Sequence, residues 1–484
     1  MKTIRISLIF LTLIFSGFAS AQDGLNLRLV RGTQDTVYNK THYLIGHVEP
    51  GSQVEINNQQ VKVYKTGSFG IALDLQKGNN PIVVKATNPK ISPEASTVSR
   101  TIYYSDRPAS MRPQLPVEEK DTLFNVITKN DAYLNFGDGT DRLGGAKINY
   151  ISEGIVMQVV SIHGNLYQVK LSDNRYAFIP QSCCEATAIE PVKSLTGSWN
   201  VSNAGNEDKV FISLNTRLPY TTKEKRFPTR IEVDIFGAKC NSNWITQMLD
   251  TEMIESVDFE QVDSEQFRAV IYLQKKYSWG YHVKYEGNNL AIYVKHEPNL
   301  SLKGLKIGID AGHGGPANGA MSPSGLKEKE LNLEMTYMLK QMLEKEGATV
   351  VLSRVDDSDI SQADRKAFFI SNKVDLSLSI HCNASGNPLI SMGSSTYYKQ
   401  IHNREFAKLI LERLLELGVP NYGLVGNFNF SQNAMTEFPN ILVETLFMSS
   451  LPDEELLADR KFKEQMMKKV LQGIKDYLKL CQSN

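Results

Sequence analysis

The chain lacks an excess of either charge, has few cysteines and, after its first residues, shows no long apolar run. Lys plus Arg and Asp plus Glu each number 53 in 484 residues, a formal net charge of zero. A basic field of the kind that gathers nucleic acid is missing, so no nucleic-acid partner is expected. The five cysteines, Cys183, Cys184, Cys240, Cys382 and Cys481, match no zinc-knuckle or disulfide-framework spacing, and an odd count leaves at least one thiol free. Cys183 and Cys184 are neighbours, and a bridge between neighbours is strained. They read as structural, with Cys240 as the one candidate partner for a bridge. No later segment approaches the roughly 20 apolar residues that cross a bilayer. Repeats and low-complexity tracts are absent as well. What is left is an ordinary globular composition, 41% apolar, in a chain too long for one core. Three or four domains are expected.

The one apolar run lies at the N-terminus. Lys2 and Arg5 precede Ile6 to Phe15, and Ala19-Ser20-Ala21 stands before Gln22. A charged start, a short apolar stretch and an A-x-A site make a secretory signal over residues 1–21, with cleavage after Ala21. The run is too short to span, and no cysteine follows the cleavage site to take a lipid. The mature chain is expected to be exported to the periplasm or cell envelope, without a transmembrane anchor.

Residues 22–105 show short alternating runs broken by turn residues, such as Val54-Glu55-Ile56, Asn57-Asn58 and Val61-Lys62-Val63. That rhythm predicts a β-sandwich, and it resembles immunoglobulin-like modules. Pro108, Pro113 and Pro116 mark 106–119 as a linker. Over 120–190, successive short strands end in Tyr176-Ala177-Phe178-Ile179-Pro180. This ending resembles bacterial Src-homology-3-like barrels, which attach wall enzymes to peptidoglycan; the alternative is an unrelated small barrel. Over 194–298, Arg230 to Gly237, Phe267 to Leu273 and Leu290 to Val294 are the clearest strands. Their pattern resembles the AMIN domain, which sits beside cell-wall amidases; the alternative is a generic β-sandwich.

From about residue 303 to 482 the rhythm changes. Strand-like Leu305–Ile309, Thr349–Leu352, Leu376–Ile380, Ser395–Tyr398 and Ile441–Val443 alternate with helical patterns. The helices are expected over Leu331–Glu346, Ala363–Asn372, Glu405–Leu417 and, as one long amphipathic element, Asp453–Leu480. The whole chain therefore reads as multidomain: all-β modules followed by a C-terminal α/β domain, its largely parallel sheet flanked by helices. Reactive groups in such sheets gather at the carboxyl ends of the strands.

There the sequence places His313, Glu328, His381 and Glu444. A hydrolytic zinc site needs three nitrogen or oxygen ligands and one open position for water. His313, Glu328 and His381 form such a set. Bound Zn²⁺ lowers the pKa of its water from about 15.7 towards about 7. Glu444 is then left to take that water's proton and deliver it to a leaving nitrogen. Each residue alone has an ordinary reading, since a glutamate at a helix start merely complements the dipole. Four at the strand and helix ends of one domain are harder to dismiss. His402 opens a helix with no motif around it and is read as structural. Cys382 adjoins His381, but side chains alternate along a strand, so its thiol should point away.

Six segments carry a resemblance. They are Asp310-Ala-Gly-His-Gly-Gly315, Gly325-Leu-Lys-Glu-Lys-Glu-Leu-Asn-Leu333, Leu352-Ser-Arg354, Ala363-Asp-Arg365, Leu378-Ser-Ile-His-Cys-Asn-Ala-Ser385 and Leu442-Val-Glu-Thr-Leu-Phe447. Together they resemble the zinc-dependent Amidase_3 family of N-acetylmuramoyl-L-alanine amidases. The resemblance implies zinc on His313, Glu328 and His381, a catalytic Glu444, and cleavage between N-acetylmuramic acid and L-alanine in peptidoglycan. It implies service in wall remodelling or daughter-cell separation, with divisome or envelope proteins as partners through the β modules. Two other readings stay open: an inactive peptidoglycan-binding protein, and a zinc peptidase acting within the stem peptide. Ala317, Ala434 and Ser450 depart from the family pattern. The helical insertion that blocks zinc in some relatives is absent, since only Gly386 to Gly393 separate the Ser385 motif from the next strand.

Overall fold

The computed structural model describes residues 24–106, 123–139 and 143–483. The expected signal at 1–21 and residues 107–119 of the expected linker lie outside them. Among the described residues no helix is long and apolar enough to cross a membrane.

The first unit packs two sheets face to face. One holds Arg28–Arg31, Thr41–His47 and Ser68–Asp74; the other runs Thr36–Val37, Ala95–Tyr104, Gly78–Thr87, Gln53–Ile56, Gln59–Val61. Period-two alternation sends Ile82, Val84 and Ala86 inward from one strand, to meet Leu44 and Phe69 from the other sheet. Phe124–Thr128 to Cys184–Thr187 then form an antiparallel seven-stranded sheet, for which the name barrel is kept below. The third unit stacks a sheet built on Ser194–Asn203, Glu207–Leu214 and Asn289–Lys295 against one built on Tyr220–Arg226, Thr229–Phe236 and Gln266–Leu273. One continuous core serves barrel and third unit together, joining Val159 and Val169 to Trp199, Phe267 and Ile292. All five cysteines are free, so the candidate bridge to Cys240 is not made. Cys184 is buried at the head of a barrel strand, whereas Cys240 follows a strand paired to Ser194–Leu195 in the third unit.

The C-terminal domain holds strands β1 (Lys306–Ala311), β2 (Thr349–Leu352), β3 (Leu376–Asn383), β4 (Ser394–Tyr397), β5 (Asn421–Val425) and β6 (Asn440–Phe447). Its helices are α1 (Glu328–Lys345), α2 (Gln362–Ser371), α3 (Arg404–Leu415), α4 (Leu451–Ala458) and α5 (Arg460–Gln482). The strand order is β2-β1-β3-β6-β4-β5. Every pairing is parallel except β4 with β6. Ile307 and Ile309 of β1 and Leu378 and Ile380 of β3 meet Met335, Leu339, Phe406, Ile410 and Ile474 from α1, α3 and α5 in one core. Near-continuous apolar strands are what a sheet covered on both faces requires.

Two elements differ from expectation. The last amphipathic stretch is two helices, because Asp459 is extended (φ −82°, ψ 110°) and its carboxylate accepts from the Lys461 N–H, starting α5 anew. Strand β5 was not anticipated; it is half-exposed without alternation, so no apolar rhythm marks it.

The third unit reaches into this domain. Tyr277 and Trp279 belong to the C-terminal core, and the Trp279 and Tyr477 rings lie 5.8 Å apart between centroids. A fragment cut at Lys303 loses both side chains. Trp279→Ala should therefore destabilise the C-terminal domain by about 3–5 kcal/mol, read as a lower midpoint in denaturant with an unchanged slope.

Candidate metal centre

Strands β1, β3 and β6 lie side by side and parallel, so their carboxyl ends open on one rim. His313 stands just past β1, in the left-handed region at φ +65°. A non-glycine residue held there is strained, and such strain gathers where the fold over-determines a side chain's aim. His381 is in β3, opposite Glu444 of β6 in register, so both project from the same face. Glu328 is the first residue of α1, where the helix dipole favours an anion.

These elements bring His313, Glu328 and His381 together. One donor atom from each lies within 4.8 Å of the others, a spacing that can hold a metal ion. His313 Nε2 and His381 Nδ1 approach the same Glu328 Oε1, at 3.1 and 2.9 Å. Burial pushes the Glu328 carboxyl up, but the two imidazoles and their hydrogen bonds outweigh it and hold it well below the usual carboxylate range. Burial pushes His381 down, and Glu328 overrides that to raise it. Glu328 is aimed by the Ala320 N–H on Oε2 (2.8 Å), with Asn332 Nδ2 and the Cys382 N–H on Oε1 (both 3.2 Å).

The fit to a cation rests on three observations. His381 Nε2 is buried with no hydrogen-bond partner. A Cβ on Gly312 would sit 2.3 Å from the His381 ring. One on Gly319 would sit 2.4 Å from Glu328 Oε2 and 2.6 Å from the His313 ring. Glycine at both positions keeps the space around the three donors clear. Two imidazoles and a carboxylate are also the donor types that a hydrolytic zinc site uses.

Beneath the rim lies a buried ion pair whose role no sequence motif states. Asp310, fully buried in β1, accepts from Arg365 Nη1, Ser379 Oγ (2.6 Å) and Gln432 Nε2 (2.8 Å). Arg365 also donates to the carbonyls of Ala311 (2.7 Å) and His313 (2.6 Å). Arg354 donates to those of Ala311 and Gly312, both at 2.9 Å. The two arginines thus fix the turn that carries His313. The legible signal was a charged residue inside an otherwise apolar parallel strand.

Burial pushes the Asp310 carboxyl up, but Arg365 and the hydroxyl hydrogen bonds hold it below its ordinary value. A depressed folded pKa contributes stability above the unfolded value near 3.9 and loses it as pH falls through the folded value. Asp310→Asn should cost about 3–5 kcal/mol at pH 7 by leaving a buried guanidinium unpaired. In thermal scans its deficit relative to wild type should narrow as pH falls below about 4, where the unfolded chain's carboxyl takes up a proton before the folded one does.

Cys382 points away from the donor set, its Sγ 3.3 Å from Thr445 Oγ1, and burial pushes its thiol well up. His402 is buried far from the rim, with Nε2 3.0 Å from the Lys225 carbonyl of the third unit. The segment after Ser385 is short and held: the Ser385 N–H donates to Ser449 Oγ, and Leu389 packs on Ile45 and Leu451. Ser450 caps α4 by accepting from the Asp453 N–H.

A family model described as N-acetylmuramoyl-L-alanine amidase matches residues 307–476, and an AMIN domain model matches 199–294. The germination-specific N-acetylmuramoyl-L-alanine amidase of Bacillus subtilis is 30% identical over 197 residues, covering 37% of this chain and 82% of that protein. LytC, an N-acetylmuramoyl-L-alanine amidase of Bacillus subtilis, is 32% identical over 40% of this chain; AmiC of Neisseria meningitidis, of the same name, is 28% identical over 39%. The chain spans only 39% of LytC and 57% of AmiC. An amidase structure from Clostridium difficile is 31% identical, with a TM-score of 0.35 over 36% of this chain and 97% of that one. With a relative at 30% identity matched over most of its length, the chain belongs to the N-acetylmuramoyl-L-alanine amidase family and carries an AMIN domain ahead of its amidase domain.

Proposed function

We propose that this protein is a zinc-dependent amidase that hydrolyses the bond between the lactyl group of N-acetylmuramic acid and L-alanine in peptidoglycan. The observation that carries the reading is the convergence of His313, Glu328 and His381 within 4.8 Å at the rim, in a chain of this family. His313, Glu328 and His381 would hold the metal. Zn²⁺, when bound, supplies Lewis-acid chemistry at an acyl oxygen and acidifies water.

The chain's own residues do the rest. Glu444, on the same face as His381, accepts a proton from the attacking water on a carboxylate oxygen. It returns that proton to the departing alanine nitrogen as the C–N bond breaks. Water's oxygen ends on the lactyl carboxyl, and the stem peptide leaves with a free amino terminus. The buried pair Asp310–Arg365 keeps the His313 turn in place throughout.

The N-terminal signal, the AMIN domain and the barrel support an exported enzyme of the periplasm or cell envelope that is held at the wall for remodelling or daughter-cell separation. Mass spectrometry of digested sacculi tests the reading. Stem peptides with N-terminal alanine are the expected product. Peptides cut internally would instead mean a stem peptidase, and no product a binding protein.

A further inference from the structure

Between β5 and β6 the chain runs as a loop, residues 426–439, that passes beside the metal centre. Phe430 sets its ring edge-on to His381, with centroids 6.1 Å apart, and Phe428 lies 4.7 Å from Tyr397. Gln432 reaches down to the buried Asp310. The loop is thus a wall of the metal centre and a brace for the turn beneath it. Asn429, between the two phenylalanines, turns the other way.

Every polar atom of the Asn429 side chain is taken up by barrel backbone. The Lys147 N–H donates to Oδ1 (2.8 Å), and Nδ2 donates to the carbonyls of Leu143 (3.1 Å) and Gly145 (2.7 Å). Two residues on, the Tyr150 hydroxyl of the barrel donates to the Ser431 carbonyl (3.4 Å). A carboxamide that uses both donors and its acceptor on another module's backbone has a single docked orientation. The residues on either side of it therefore stand where the barrel puts them.

We propose that Asn429 is a positioning residue, through which the barrel holds the Phe428–Gln432 wall against the metal centre and sets the geometry of catalysis. This rests on the amidase reading above. The barrel then has a second task besides wall attachment: it completes the reactive site of its own chain. Because small misplacements near reacting atoms are costly, losing the clamp should reach the rate although the polar atoms of Asn429 are spent on barrel backbone.

The test uses the full chain loaded with zinc, and soluble muropeptide so that wall attachment does not enter. Asn429→Ala should lower kcat/KM by about 10- to 100-fold, with zinc content unchanged. Hydrogen–deuterium exchange should speed up in peptides covering 426–434 and stay slow in β6. Tyr150→Phe, a milder change, should move both readouts in the same direction. Asp131→Ala removes a different contact of the same interface, the ion pair to Lys366 at 2.6 Å. It should leave loop exchange and kcat/KM as in wild type. Wild-type exchange and kcat/KM in Asn429→Ala would overturn the proposal and leave the amidase reading standing. Equal impairment in Asp131→Ala would overturn it too, since any weakening of the interface would then suffice. A wild-type chain that releases no alanine-terminated peptide defeats the amidase reading, while the exchange data still decide whether the clamp holds the loop.

Discussion

Glu444→Gln should keep its zinc and lose turnover by about 10²–10⁴-fold, the usual range for a general acid–base group. The carboxamide has nearly the same shape, so β6 keeps its register with β3, in which Glu444 faces His381. What it cannot do is accept a proton from water at neutral pH. Ground-state binding should change little, so the loss should fall on kcat rather than KM. Metal analysis and steady-state kinetics on the same preparation check both halves. A substitution that empties the site would make Glu444 a ligand and remove the proton-transfer role.

The second large effect is on the donors. His313→Ala or His381→Ala should abolish stoichiometric zinc and activity together, since a hydrolytic zinc site takes three protein ligands and only two would remain. His381→Ala should be the more damaging to the fold. His381 is buried in the central strand and ion-paired to Glu328 at 2.9 Å, and its removal leaves that carboxylate with one imidazole fewer. His313 is on a turn and partly exposed, so its variant should unfold near the wild-type midpoint while binding no metal. Full activity after exhaustive chelation would contradict the zinc assignment.

Much of the C-terminal domain was legible because its signals are local. Apolar runs such as Leu376–Ile380 mark buried parallel strands, and reactive residues follow directly on their ends. Of the residues named from that placement, His313, Glu328 and His381 lie in mutual reach, and Glu444 stands opposite His381 in register. What the sequence did not reveal depends on distant partners. Trp279 reads as one more aromatic in a β-rich stretch, yet it packs against Tyr477, nearly 200 positions away. Asn429 carries no signal in the sequence, and only the barrel backbone at 143–147 gives its side chain a purpose. Arg354 and Arg365 have no role legible in the sequence, because the carbonyls they hold belong to a turn that exists only when β1 and β3 are side by side. The break at Asp459 was missed because the apolar stripe continues across it, and the cap is a single side chain.

The bond that is cut can be read directly with isotopic water. Purified disaccharide-peptide incubated with the zinc-loaded full chain in H₂¹⁸O should take up one ¹⁸O in the lactyl carboxyl of the muramic acid. The released peptide should carry none and should start with alanine. Label in a peptide carboxyl, with the lactyl amide intact, would contradict the account.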